Sequence, residues 1–275
     1  IAFITTIDRK AQDYVLMEFL AGLTIGVKDK PTELIFKFFT NEKDEFNYYQ
    51  KLIDADLVDK FVFYRIKKND KRIDFLKKNK INFVTWGRSS AKDNYAWIDL
   101  DNEKSVEILM QRLYDFGHRK IGFLNVHQSF NYGYQRKNAY KEFHKNKNIK
   151  LNSKYYQESL DHATVTGISL SKKLLDLKDP PTAIICSLDK YFIGCLQECQ
   201  RRGLVIAKDI SVVGYNDQDN YLSSQNVTYI SHPLAEMGKM AIKMLERLDQ
   251  GAKPENLYKL IKPILNKGKS DGKVS

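Results

Sequence analysis

The sequence predicts an α/β fold of two doubly wound parallel-sheet lobes, and three features lead there. Short apolar runs recur along the 275 residues, helical spacing fills most of the gaps, and a polar break near residue 100 splits the series. The runs are IAFI (1–4), LIFKFF (34–39), KFVFY (60–64), NFVTW (82–86), KIGFLNV (120–126), TAIIC (182–186), ISVVGY (210–215) and VTYIS (227–231). Between them, Leu16, Phe19, Leu20 and Leu23 recur at i, i+3, i+4 and i+7. Val106, Leu109, Met110 and Leu113 do the same, in a helix that Asn102 is placed to cap and Gly117 to close. Phe192, Cys195, Leu196 and Cys199 form a third helical face, and Met237, Met240, Ala241, Met244, Leu245 and Leu248 a fourth. The break WIDLDNEKS (97–105) follows four strands, so two sheets are expected, not one. In such folds ligands bind beyond the carboxyl ends of the strands.

Composition excludes several classes. Hydrophobic residues make up 43% of the chain, enough for real cores. No apolar run approaches the roughly 20 residues of a membrane helix, and no signal peptide is evident. Three cysteines cannot all pair within one chain, and Cys195 and Cys199 read as small core residues without metal ligands nearby. The net charge of +11 raises nucleic acid as a partner. Yet the densest stretch, RIKKNDKRIDFLKKNK (65–80), is interrupted by acidic and apolar residues and reads as a solvated helix face.

Catalytic signatures are missing. There is no glycine-rich phosphate loop, no nucleophile elbow and no paired-histidine metal motif. His118, in FGHRK, lies at a helix end and reads as structural. The chain is therefore expected to be a binding protein, not an enzyme, with no cofactor.

Polar and aromatic residues cluster instead at the ends of strands. Trp86 and Arg88 follow the fourth run, Phe130, Asn131, Tyr132 and Arg136 the fifth, Asp189 the sixth and Asn216 the seventh. Amides, carboxylates and guanidinium groups bond hydroxyls in pairs, while aromatic rings cover the apolar faces of a sugar. A polyhydroxylated ligand suits that set.

The stretch PTAIICSLDKYFIGCLQECQRRGLVIAKDISVVGYND closely resembles regulators of the lactose-repressor family, as do LYDFGHRKIGFL, WIDLDN, YQRKNAYKEF and VTYISHPLAEMGKMAIKML. The resemblance runs from residue 1 to about residue 268. It implies the periplasmic-binding-protein-like type I fold, with three crossovers near Asp101, Ser231 and Asn256 and an effector cleft between the lobes. One lobe would hold 1–100 and 231–256, the other 101–230 and 257–268, with 269–275 as a disordered tail. Carried over by position, the family's effector arginine falls on Arg136 and its strand-end aspartate on Asn216, which keeps the acceptor but loses the charge. Further contacts fall on Phe130, Tyr132 and Arg88, and the first-helix contacts near Tyr14 and Leu16. WGRSS followed by YAWIDLDN is most similar to regulators responding to alpha-glucosides or related oligosaccharides.

The family's amino-terminal helix-turn-helix is absent from this chain, so operator DNA is expected to be bound through a head domain outside it. A homodimer in the cytoplasm is the expected state, with the sugar shifting the lobe arrangement. The rival is a periplasmic sugar-binding protein serving a transporter.

Overall fold

Alternation along each buried strand decides the layering. In β3, KFVFY, Phe61 and Phe63 face one side of the sheet and Val62 and Tyr64 the other, and all four are buried. A sheet apolar on both faces needs helices on both. The computed structural model describes residues 1–7, 14–89, 94–216 and 221–274. In chain order it contains β1 (Ala2–Thr6), α1 (Tyr14–Gly26), β2 (Ile35–Phe39), α2 (Glu42–Asp54), β3 (Lys60–Tyr64), α3 (Lys71–Lys78), β4 (Asn82–Trp86) and β5 (Ala96–Leu100). There follow α4 (Asn102–Asp115), β6 (Ile121–Val126), α5 (Asn131–Asn146), β7 (Tyr156–Ser159), α6 (Thr164–Leu175), β8 (Ala183–Cys186), α7 (Asp189–Arg201) and β9 (Ser211–Tyr215). The last are α8 (Tyr221–Ser224), β10 (Thr228–Ser231), α9 (Leu234–Asp249), β11 (Tyr258–Ile261) and β12 (Ile264–Asn266).

The chain divides into two units, Ile1–Leu100 with Pro233–Ile261, and Asp101–His232 with Lys262–Ser275. The first unit's sheet is parallel in the order β11-β5-β4-β3-β1-β2. One face packs Phe3, Val62, Val84 and Ile98 against α1 and α9, and the other packs Ile4, Phe61 and Phe83 against α2 and α3. A Cβ on Gly22 would stand 2.0 Å from the Ala235 carbonyl oxygen, and one on Gly238 would stand 2.4 Å from that of Phe19. Only glycine permits α1 and α9 to lie backbone against backbone at this point.

The second unit's sheet runs β12-β10-β9-β8-β6-β7, with only the β10–β12 pairing antiparallel. Leu124, Ile184 and Val212 meet α6 and α7, while Phe123, Ile185, Val213 and Tyr215 meet α4 and α5.

The structure corrects several expectations. The stretch read as a polar break overlaps β5, all five of whose residues are buried, with Asp99 on it paired to Arg88. β7, β11 and β12 were also not anticipated. The return crossing expected near Ser231 falls after His232, and the third, expected near Asn256, falls after Ile261, because Tyr258–Ile261 pairs with Trp97–Leu100. Asp101 caps α4, accepting from the Lys104 amide at 2.9 Å, which leaves Asn102 as the first helical residue. In the basic stretch, Arg72 is not solvated. It bonds Asp70 and Glu45 (2.8 and 2.9 Å) over the ring of Phe63.

Residues 269–274 of the expected disordered tail are instead built in. Ser270 and Asp271 are buried, and the Ser270 hydroxyl donates to the Val212 carbonyl (2.6 Å) and accepts from the Thr228 amide (2.9 Å). The Asp271 carboxylate accepts from Thr228 and Arg112, the latter also lying over Phe116. His118 closes the arrangement, its ring nitrogens within 3.0 Å of Thr182 Oγ1, Ser211 Oγ and the Gly272 carbonyl. Burial lowers its pKa from the ordinary histidine value. No helix of the described residues is long and apolar enough to cross a membrane.

Candidate functional site

At the carboxyl edge of the second unit's sheet, polar groups from four elements converge on Arg136, on the second turn of α5. Only 4% of this residue is exposed. Its Nε donates to Asn102 Oδ1 at 2.8 Å and its Nη1 to the Ser187 carbonyl, just past β8, at 2.7 Å. The guanidinium carbon lies 4.0 Å from the centre of the Tyr215 ring, at the end of β9, and 5.3 Å from that of Tyr132. Tyr215 in turn stacks on His232, ring centres 6.1 Å apart.

A buried guanidinium has five N–H donors, and here two are engaged. The other three have no acceptor among the described residues, and no carboxylate there pairs with the charge. Burying a charge without a counter-charge is costly, and the facing rings offset it only in part. Two neutral acceptors, Asn102 and the Ser187 carbonyl, thus hold the head among the described residues.

The turn that carries it is set from below. Asn125 in β6 donates to the Gly133 carbonyl and to the Tyr156 hydroxyl, both at 2.9 Å, and Tyr156 donates to Glu158 at 2.7 Å. Burial raises the Tyr156 phenol well above its ordinary pKa, so it stays a donor. A Cβ on Gly133 would meet the His127 carbonyl oxygen at 2.7 Å. Glycine thus lets α5 start directly against the end of β6.

Of the other sequence-predicted residues in this unit, Asn216 is buried just past β9, with its backbone N–H donating to the Ile230 carbonyl at 3.0 Å. The Phe130 ring lies 5.7 Å from that of Tyr132 and 5.6 Å from that of His162, at the entry to α5. Asn131 is buried at the first helical position. Asp189 opens α7 and accepts from its neighbour's amide, Lys190, at 2.8 Å. Asp217, beyond Asn216 in the same tip, lies outside the described residues.

The remaining four belong to the first unit. Arg88 donates to Asp99 at 2.9 Å and lies 5.0 Å from the Trp97 ring centre. Trp86 is stacked between Phe19 (4.5 Å) and Tyr64 (5.3 Å). Leu16 lies in the same apolar core, and Tyr14 is exposed at the start of α1.

Sequence reasoning missed Asn102, Gln135, Ser187 and Tyr215, which surround Arg136. Asn102 was visible in WIDLDN but taken as a cap. Among the described residues no group of three or more histidine, cysteine, aspartate or glutamate side chains could hold a metal.

Two doubly wound units joined by three chain crossings, with a buried cationic donor set at one sheet's carboxyl edge, define a type I periplasmic-binding-protein-like ligand domain. The periplasmic binding protein-like domain family matches residues 110–270, more than half of the chain. The HTH-type transcriptional regulator AglR of Rhizobium meliloti is 28% identical over 251 residues, covering 86% of this chain and 68% of that protein. A regulatory protein of the LacI family from Chloroflexus aggregans superposes with a TM-score of 0.86 at 26% identity, over 98% of both chains. A transcriptional regulator CelR in complex with cellobiose shares the fold, with a TM-score of 0.87 at 18% identity over 98% of this chain and 84% of that one. The chain belongs to the periplasmic-binding-protein-like family, as an effector-binding region of the LacI/GalR regulators.

Proposed function

We propose that this chain binds a small neutral sugar at the carboxyl edge of its second unit, and that the bound sugar controls DNA binding by the regulator to which the region belongs. The observation that carries the reading is Arg136, buried, oriented and without a carboxylate partner among the described residues. Its open donors suit hydroxyl oxygens, and Tyr132 and Phe130 beside it suit the apolar face of a ring. Asn216, an amide, fits neutral hydroxyls, which are donors and acceptors at once. The cellobiose held by a protein of the same fold supports a sugar, and the similarity around WGRSS supports alpha-glucosides or related oligosaccharides. Control then works by population shift, the sugar favouring one conformational state of a homodimer over another. Operator contacts belong to a head domain outside this chain.

Thermal denaturation with maltose, trehalose, cellobiose and simple hexoses tests the reading. A sugar at a hundred times its Kd stabilises the folded state by about 2.7 kcal/mol, so a clear upward shift in Tm is expected from at least one of them. No shift from any sugar up to millimolar concentration would refute it.

A further inference from the structure

We infer that Asn102 is the positioning residue for Arg136, fixing which guanidinium donors remain open to a ligand; this rests on the sugar reading above. Arg136 has a long, flexible stem, and two acceptors hold its head. One is the Ser187 carbonyl, a backbone group that comes with the end of β8. The other is Asn102 Oδ1, the one side chain among the described residues that bonds the guanidinium. Asn102 is fully buried at the first position of α4. Helix capping makes no demand on its amide, because Asp101 performs that task.

The orientation of that amide is itself determined. Asn102 Nδ2 donates to Gln135 Oε1 at 3.1 Å, so Oδ1 faces Arg136. A flipped amide would set its NH2 against the guanidinium N–H groups, donor against donor. Gln135 and Arg136 are neighbours on α5, and together they grip Asn102 from that helix. With Nε and one Nη1 proton taken, both Nη2 protons and the second Nη1 proton form the open edge. Asparagine accepts without neutralising, so the orientation is gained and the charge is kept.

Asn102 is also the second residue after the chain leaves the first unit at Leu100. The group that aims the arginine therefore lies just past a chain crossing.

The test uses Asn102→Leu, which keeps the volume but removes the acceptor, and Asn102→Asp, which keeps the acceptor while Gln135 turns its amide. In the sugar-free full chain, the Nε–H of Arg136 is followed by nitrogen-15 NMR. We expect solvent exchange to be slow in the parent and in Asn102→Asp, and about tenfold faster or more in Asn102→Leu. Affinity for the best-binding of maltose, trehalose and cellobiose should fall about tenfold in Asn102→Leu, and by less in Asn102→Asp, which keeps the head oriented but neutralises its charge. Adding Asn102→Leu to Arg136→Ala should cost no further affinity, since the residue would act only through the arginine. If Asn102→Leu does not fold, Gln135→Met loosens the same grip and should show the same two effects at smaller size. Parental exchange and affinity in Asn102→Leu would overturn the inference. If no sugar binds the parent, the sugar reading fails, while the Nε–H measurement still decides the role of Asn102.

Discussion

Arg88 in the first unit and Arg136 in the second are built alike up to a point, and then differ. Each lies over an aromatic ring, Trp97 for Arg88 and Tyr215 for Arg136. Each is held through Nε by a residue flanking the crossing at Leu100 and Asp101, and these holders are Asp99 and Asn102. Asp99 is a carboxylate with 5% of its side chain exposed, and it also accepts from the Leu100 amide at 2.8 Å. Arg72 with Asp70 and Glu45, and Arg112 with Asp271, repeat the carboxylate pattern over Phe63 and Phe116. Arg136 departs from all three, with no carboxylate partner among the described residues. A ring-backed arginine with a carboxylate is a closed structural unit, whereas one held by neutral acceptors keeps its field and its spare donors.

Replacement separates the two kinds. Arg136→Met should lower sugar affinity by one to two decades, about 1–3 kcal/mol, and leave the sugar-free Tm unchanged or slightly raised. Calorimetric titration and scanning calorimetry read both. Arg88→Met should act mainly on stability, because it takes the guanidinium from the buried Asp99; about 2 kcal/mol is expected from urea unfolding. If Arg88→Met spared stability and abolished binding, the two arginines would be equivalent and the contrast would collapse.

Asp271→Asn extends the comparison to the carboxyl-terminal segment. It removes the charge facing Arg112 while keeping the shape, and should cost about 1.5 kcal/mol without changing sugar affinity. Unfolding at several urea concentrations would show it, and no loss would mean that the segment rests on its other hydrogen bonds.

The smallest effect is on pH dependence. Burial lowers the pKa of His118 and His144, so the unfolded imidazoles take up protons near pH 6.5 while the folded ones resist. The unfolded state then binds more protons, and stability falls as pH drops from about 6.5 toward the folded values. His118→Gln should flatten that part of the curve, and an unchanged slope would remove His118 as its source.

What was legible in the sequence follows from what each pattern encodes. Apolar runs bounded by glycine or polar tips located β1 to β4, β6, β8, β9 and β10; burial on both faces leaves little else for the central strands to contain, while β2, at the sheet edge, carries the same pattern with Phe36 and Phe38 exposed. β5 was hidden because Asp99 interrupts its run, and the partner Arg88, eleven residues earlier, helps to make that burial tolerable. β11 and β12 are short, interrupted or flanked by lysines and separated by Lys262 and Pro263, so their pairing depends on sheets already formed. Arg136 and its aromatic neighbours were visible as polar tips. Asn102 was not, because two adjacent residues can each cap a helix, and only the fold shows that Asp101 does so. The ordering of residues 269–274 was invisible for a related reason: lysine and glycine dominate the segment, while its anchors are Ser270 and Asp271.

The most direct test of the account is a crystal structure of the chain with the sugar that gives the largest thermal shift. The account predicts a sugar hydroxyl within about 3.2 Å of Arg136 Nη2, with Nε still on Asn102 and Nη1 still on Ser187. A sugar bound elsewhere, or an Arg136 that turns to a protein carboxylate in its presence, would contradict it.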